Sequence, residues 1–562
     1  MKSRKLFVLI GVVVALTMLL AACAPAATPA EPTAAPVEPT AAPVEPTAAP
    51  VEPTAAPTEG PHLLWNKELK QAVAAAIDRE AIVDRVFEGR NIPAYHMIPT
   101  GYPFASEPFL DKYGTRDLDM AKSLLEGQGY TADNPLMLEL WYPPEHYGTT
   151  TADVMQVIKE QLEETGLMKV ELKSQNWAEY VDSFVAGNLP FFMLGWFPDF
   201  VDPDTWLSPF ASCAQSPSNG VNYCNEEMDA LLLAAASTAD PAEREALYKQ
   251  VGELYAEEVP TIPLFWEPEF ITYRTGVEGI KIGAPFEFSY VPLNFTADAA
   301  PASGSTDTII IGTTDAVNSL DAQDAWATHD WEIIKNTGLP LLTYEPGTTN
   351  LVPGAAADMP VVSEDGKTYT FTLKDGLMFA DGTPVTSADY VRSWKRFELG
   401  GQVSVLVQGY VADVTAPDEK TVVYTLKDSY SFFPALVATA PFVVSNPASF
   451  PDDAIVAFPE VLDGLGPYRM VSNAPGEQMV LEANPNYIGT PPNIKNVIIR
   501  YFADPATLAN AVEKGEIDIA WRVLGPVEAT RLQSAEGLTV ETINAPALRY
   551  LVFNHTFMVG GQ

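Results

Sequence analysis

Three regimes of apolar and polar positions follow one another along the chain. Residues 6–20 form an unbroken apolar run behind Lys2, Arg4 and Lys5. The run falls short of the roughly 20 residues that cross a bilayer as a helix, so it reads as the core of an export signal. Residues 24–61 carry almost no large apolar side chain and repeat Glu-Pro-Thr-Ala-Ala-Pro from Glu31, Glu38, Glu45 and Glu52. Such a stretch cannot bury enough surface to offset its ordering entropy and is expected to stay unfolded. At about 3.1 Å per proline-rich residue it would reach on the order of 100 Å, as a tether.

From residue 62 the apolar positions recur with periods near 3.6 and 2, which predicts mixed α and β structure. A helix is expected over 66–89, with Leu69, Val73, Ile77, Ile82 and Val83 on one face and Gly89 at its end. A second is expected over 153–166, followed by a strand over 168–173 in which apolar and charged residues alternate. Asp240-Pro241-Ala242-Glu243 is a helix start, with a capping side chain, proline at the first position and glutamate at the third. That helix should stop before Pro260. Thr386 to Asp389 reads as a capping box, and Asp504-Pro505 opens a helix ending near Gly515. Strands are expected over 368–374 and 421–427. Residues 297–307 are small, polar and aperiodic, and divide the body into two long segments that composition alone would make separate domains.

Composition narrows the function classes. The net charge is −40, from 33 basic and 73 acidic residues, which excludes a phosphate-neutralising nucleic-acid binder and a polybasic membrane-surface protein. Three cysteines cannot make a disulfide-dense scaffold or a four-cysteine zinc site. Leu20-Ala21-Ala22-Cys23 resembles a bacterial lipobox, in which Cys23 takes lipid and becomes the new N-terminus. Cys213 and Cys224 lie in a loop rich in Ser, Asn and Gly, and an exported protein would join them, stabilising the loop by about 2–3 kcal/mol. The five histidines are not spaced as a metal pair on a helix, and no phosphate loop, nucleophile elbow or dinucleotide fingerprint is present. No metal or cofactor is therefore expected, and the enzyme classes are poor; a hydrolase with two carboxylates is the runner-up.

Residues 306–555 resemble the N-terminal half of the family 5 solute-binding proteins of ABC importers, the oligopeptide- and dipeptide-binding group. The resemblance rests on Phe379-Ala380-Asp381-Gly382-Thr383-Pro384, Gly464-Leu465-Gly466-Pro467-Tyr468, Asn484-Pro485-Asn486-Tyr487, Gly515-Glu516-Ile517-Asp518 and Arg549-Tyr550-Leu551-Val552-Phe553-Asn554, among others. Residues 66–296 resemble the C-terminal half, through residues 71–83, Gly195-Trp196, Asp202-Pro203-Asp204 and Val259-Pro260-Thr261-Ile262-Pro263-Leu264. The second half comes first, so the chain resembles a circular permutant; the alternative is a gene rearranged from two adjacent copies. The implied fold is α/β and periplasmic-binding-protein-like, with two large lobes and a smaller extra domain around a hinged cleft. The implied organisation is an export signal with lipobox at 1–23, a tether at 24–61 and the second lobe at 62–260. A return segment (261–296) and a linker (297–307) lead to the first lobe at 308–345 and 465–555, with the extra domain at 346–464. The permutation should cut one interlobe crossing and keep the return crossing near 260–263.

The resemblance also implies a function. The protein would be a lipid-anchored extracytoplasmic monomer that captures peptides and delivers them to an ABC permease. Other solutes of the family (oligosaccharides, opines, nickel, haem) and a non-transport or sensor product remain open. Asp199, three residues after Trp196, maps onto the carboxylate that pairs with a ligand's α-ammonium group, and Trp196 onto a cleft-wall tryptophan; a turn-capping loop aspartate is the alternative. Met193 stands where some members carry an arginine for the ligand carboxylate. Trp141 and Tyr142 are further candidates for the cleft wall, with core packing as the alternative. Trp326 and Trp331 are expected in the core, and Asp202 and Asp204 as turn and cap residues rather than a calcium site.

Overall fold

A computed structural model describes residues 62–559, apart from residues 101, 145, 149, 284–286 and 523. The export signal, Cys23 and the tether lie outside the described residues. Residues Glu59–Gln562 form one compact unit.

Local signals set most helix starts. The Asp240 carboxylate accepts the Ala242 and Glu243 amides, both at 3.0 Å, and the helix runs over Pro241–Glu258. The Thr386 amide donates to Asp389 at 2.8 Å ahead of the helix Ser387–Lys395. The helix expected over 66–89 is instead two, Lys67–Ala76 and Arg79–Phe87. Ile77 is extended, and the Asp78 carboxylate caps the second helix by accepting the Ala81 amide at 2.9 Å. Gln161, from the helix Thr151–Glu163, accepts the Asp78 amide and donates to its carbonyl, both at 3.0 Å. The Ala75 and Ala76 carbonyls, at the end of the first helix, accept the Asp117 amide and the Arg116 Nε, both at 2.8 Å, so the backbone groups at the break are paired.

The central feature is one mixed sheet. Its ten main strands are β1 (Leu136–Tyr142), β2 (Met168–Ser174), β3 (Phe191–Trp196), β4 (Thr261–Arg274), β5 (Thr308–Thr313), β6 (Tyr468–Ala474), β7 (Gln478–Ala483), β8 (Asn496–Tyr501), β9 (Ile519–Trp521) and β10 (Leu538–Phe553). Their order is β6-β7-β8-β5-β9-β4-β10-β3-β1-β2, and the short strand Ile92–Pro93 pairs with β4. The strands of β8-β5-β9 run parallel, as do those of β3-β1-β2. The long antiparallel pair β4 and β10 joins these two parallel sets.

Both long strands pass from one hydrophobic core to another. Ile262, Leu264, Phe265 and Trp266 of β4 pack with Leu548, Tyr550, Leu551 and Val552 of β10 in the core around β1–β3. Further along, Ile271 of β4 and Ala547 of β10 belong to the core around β5–β9. Between them the register of β10 slips from Ile543↔Glu269 to Ala547↔Glu267. Pro268 sits opposite this bulge, and a proline has no amide for the ladder, so the pairing is locally interrupted at the crossover. A third core lies around the four-stranded sheet of Val361–Val362, Thr368–Thr372, Thr421–Leu426 and Val411–Asp418.

One expectation about the chain order needs correction. No crossing is cut: β10 runs without a break into the core around β1–β3. The described chain ends meet beyond it, where His62–Leu63 pairs antiparallel with Met558–Val559. The segment 297–307 is anchored by hydrogen bonds to neighbouring strands and loops. The Ala302 amide donates to Asp518 at 2.7 Å, and the Asp307 carbonyl accepts the Lys495 and Asn496 amides at 2.8 and 2.9 Å. Because each half supplies strands to one sheet, the chain should unfold in urea as a single transition followed identically by fluorescence and circular dichroism. Two separated transitions would show that the halves fold independently.

Candidate functional site

The segment after β3 leaves the sheet at the C-terminal edge of a parallel set, where open α/β sheets characteristically bind ligands. Trp196 ends β3. Its indole N–H donates to the Thr205 carbonyl at 2.9 Å, and its ring lies edge-on to Phe210 at 5.1 Å. The Asp199 amide donates to the Thr205 hydroxyl at 3.1 Å. The first turn of the helix Asp204–Ala211 therefore fixes both Trp196 and Asp199.

Asp199 is 8% exposed, and its carboxylate accepts the Trp326 indole N–H at 2.6 Å. Burial pushes this carboxyl up to about 7, more than the Trp326 hydrogen bond pulls it down. Among the described contacts this carboxylate has no cationic partner, and its burial favours the neutral form. Trp326 is not the core residue expected: it is 40% exposed and comes from the segment after β5, 127 residues away. Trp331 is half-buried and donates its indole N–H to the Ala325 carbonyl at 2.8 Å.

Asp202 and Asp204 do more than shape the turn. Asp202 accepts the Asp204 amide at 3.0 Å but also forms a two-pronged pair with Arg244, at 2.8 and 2.9 Å. Asp204 accepts the Ser208 hydroxyl at 2.7 Å and the Tyr410 hydroxyl at 3.2 Å, and burial pushes its carboxyl up to about 6. Phe200 stacks on Phe432 at 5.0 Å, and the Ser431 amide donates to the Ala236 carbonyl at 2.7 Å. The loop after β3 and the end of the helix Glu226–Ser237 are therefore seated against residues 410–432. Among the described residues no group of three or more His, Cys, Asp or Glu side chains could hold a metal ion.

Trp141 and Tyr142 are the last residues of β1 and are half-buried. Trp141 donates its indole N–H to Glu139 at 3.1 Å, and the Lys173 ammonium lies 5.7 Å from its ring. The structure brings Trp196 and Asp199 together in one loop, and holds Trp141 and Tyr142 on the neighbouring parallel strand. A disulfide links Cys213 to Cys224 between the helices Asp204–Ala211 and Glu226–Ser237. Tyr410 and the role of Trp326 escaped the sequence reading, because partners so distant in the chain leave no spacing signal. Among the described residues no helix is long and apolar enough to cross a membrane.

The chain is 32% identical over 267 residues to the "Probable D,D-dipeptide-binding periplasmic protein DdpA" of Escherichia coli (strain K12), covering 46% of this chain and 51% of that protein. It is 28% identical over 220 residues to the "Dipeptide-binding protein" of Pseudomonas aeruginosa, covering 39% of this chain and 40% of that one. The chain thus spans about half the length, or less, of these curated relatives. A solved periplasmic oligopeptide-binding protein from Borrelia burgdorferi aligns with a TM-score of 0.36 and 22% identity, over 41% of this chain and 50% of that one. The model of the bacterial extracellular solute-binding proteins, family 5, matches residues 56–218 and 350–559, well over half of the chain. The chain belongs to the bacterial extracellular solute-binding proteins of family 5.

Proposed function

We propose that this protein is a circularly permuted, lipid-anchored extracytoplasmic binding protein. It captures short peptides between its two large cores and delivers them, as a monomer, to an ABC permease. The observation that carries the reading is the buried Asp199 carboxylate, which meets only an indole N–H from the other half of the chain among the side-chain contacts described. A peptide's α-ammonium group supplies the positive charge that such a carboxylate lacks. The names of the dipeptide-binding relatives support the same ligand class.

Closure would follow from contacts made to both halves at once. The β4–β10 pair supports a hinge, since its ladder is interrupted at Pro268 between the two cores. The permuted order is supported by the pairing of His62–Leu63 with Met558–Val559, which sets the two ends of the described residues side by side. The segment 297–307 then closes what would be the ends of an unpermuted chain. Cys23, followed by the proline-rich tether, supports attachment to the outer face of the cytoplasmic membrane.

Native mass spectrometry of the purified chain tests the ligand class. A retained mass that fragments into amino acids is the expected result. A retained oligosaccharide, opine, nickel ion or haem would replace the peptide reading. An empty protein that binds no peptide on titration would favour a non-transport product.

A further inference from the structure

The hydrogen bond from Trp326 to Asp199 joins the two halves of the chain at the candidate site, and its two ends are built differently. Asp199 lies in a seated loop, next to Phe200, which is 1% exposed and stacks on Phe432. Trp326 projects from the segment between β5 and the helix Thr328–Thr337, and is 40% exposed.

The backbone under Trp326 is fixed. The Asp324 and Ala325 amides both donate to the Asp321 carbonyl at 2.8 Å. The Asp324 carboxylate accepts the Gln402 backbone amide at 3.0 Å, and the Ala325 carbonyl accepts the Trp331 indole N–H. Ala325 packs with Ile334, Ala440 and Val443 in a small buried cluster. An indole standing out from so firm a base, toward a carboxylate 127 residues away, is placed for that carboxylate rather than for a core.

The indole N–H meets Asp199 Oδ1, and among the described contacts Oδ2 accepts nothing. One oxygen is thus oriented by the other half of the chain, and the second is left for another donor. A carboxylate has room for both, since each oxygen carries two acceptor sites. The indole also favours the charged form of Asp199, against the effect of burial.

We propose that Trp326 is a positioning residue of the ammonium site: its N–H holds Asp199 oriented and charged, so the site is complete only while the two halves are together. The chain then selects ligands whose protonated amine engages the carboxylate in the closed cleft. The inference rests on the peptide reading and on Asp199 as the ammonium partner. Other titratable groups face Asp199. Its charge acts on Tyr410, whose hydroxyl burial keeps well above the usual tyrosine range, so it stays protonated and donates to Asp204. Burial pushes the Asp204 carboxyl up to about 6, and Asp202 is tied to Arg244. None of these groups is altered by a change at Trp326 alone.

The test is a double-mutant cycle of Asp199→Asn with Trp326→Phe, which keeps a ring and removes the N–H. Each purified chain is titrated calorimetrically with the free-amine tripeptide Ala-Ala-Ala, from about pH 5 to about pH 9. In the natural background Trp326→Phe should weaken binding by about tenfold near neutral pH, the cost of a hydrogen bond to a charged group. It should also move the midpoint of the affinity–pH profile upward by about half a unit or more. In the Asp199→Asn background it should cost less than about threefold. Unchanged or tighter binding by Trp326→Phe overturns this inference and leaves the peptide reading standing. So does an equal loss in both backgrounds, the mark of a packing role, or a midpoint that stays in place. A tripeptide that fails to bind the natural chain at every pH overturns the peptide reading and this inference with it.

Discussion

Replacing Asp199 with alanine weakens binding of a free-amine peptide by about tenfold or more, and leaves binding of its N-acetylated form nearly unchanged. Asp199 is buried, its amide is held by the Thr205 hydroxyl, and among the described contacts its carboxylate is answered by the Trp326 indole N–H alone. In such surroundings an ion pair counts for far more than in water. Calorimetric titration checks the result, and unchanged affinity for the free amine would remove Asp199 from the site. The same group sets a pH dependence. Its folded value, about 7, lies above the roughly 3.9 of an unfolded aspartate. The unliganded fold therefore holds a proton that the unfolded chain releases. Stability from this group is full below about pH 4 and is lost as the pH rises through about 7. Ammonium capture runs the other way, since it needs the carboxylate. Affinity should fall between about pH 8 and pH 6, and Asp199→Asn should flatten that profile. The asparagine variant should also melt above the natural chain at about pH 8 and level with it near pH 4.

Arg396→Met costs on the order of 3–5 kcal/mol of folding stability, read from urea unfolding. Arg396 is 1% exposed and pairs with Asp321, which is wholly buried. Its Nε donates to Gln323 and its Nη1 to the Ala454 carbonyl, both at 3.2 Å. Asp321 also accepts the Val456 amide at 3.1 Å. Removing the guanidinium strands a carboxylate that burial already pushes above its usual range. The double variant Asp321→Leu/Arg396→Met should recover most of the loss, because neither charge then needs desolvating. Equal destabilisation in the single and double variants would show that packing, not charge pairing, sets the cost.

Much of the local structure was legible in the sequence. Asp240, Thr386 and Asp504 act within three or four residues of themselves, so their helices begin where the pattern puts them. Periodicity also predicted the strand at β2, which gained one residue, ending at Ser174. It misled at 66–89, because the apolar face continues through a break stabilised by Gln161 and Arg116, which lie far along the chain. At the candidate site, Trp196 and Asp199 were legible because one short segment carries both. Trp326 was misplaced, since a tryptophan in an apolar stretch looks the same whether it packs in the core or reaches a distant carboxylate.

Helix starts, strand periods and the family motifs could be read from the chain alone. Each depends on residues near one another in the chain. The pairings between distant segments were set by the fold. It keeps both β4 and β10 whole, pairs the described chain ends beyond them, and brings Trp326 to Asp199 across 127 residues. Those outcomes depend on which distant surfaces bury one another. No spacing along the chain records that choice, because burial is settled by the assembled cores rather than by neighbours in sequence.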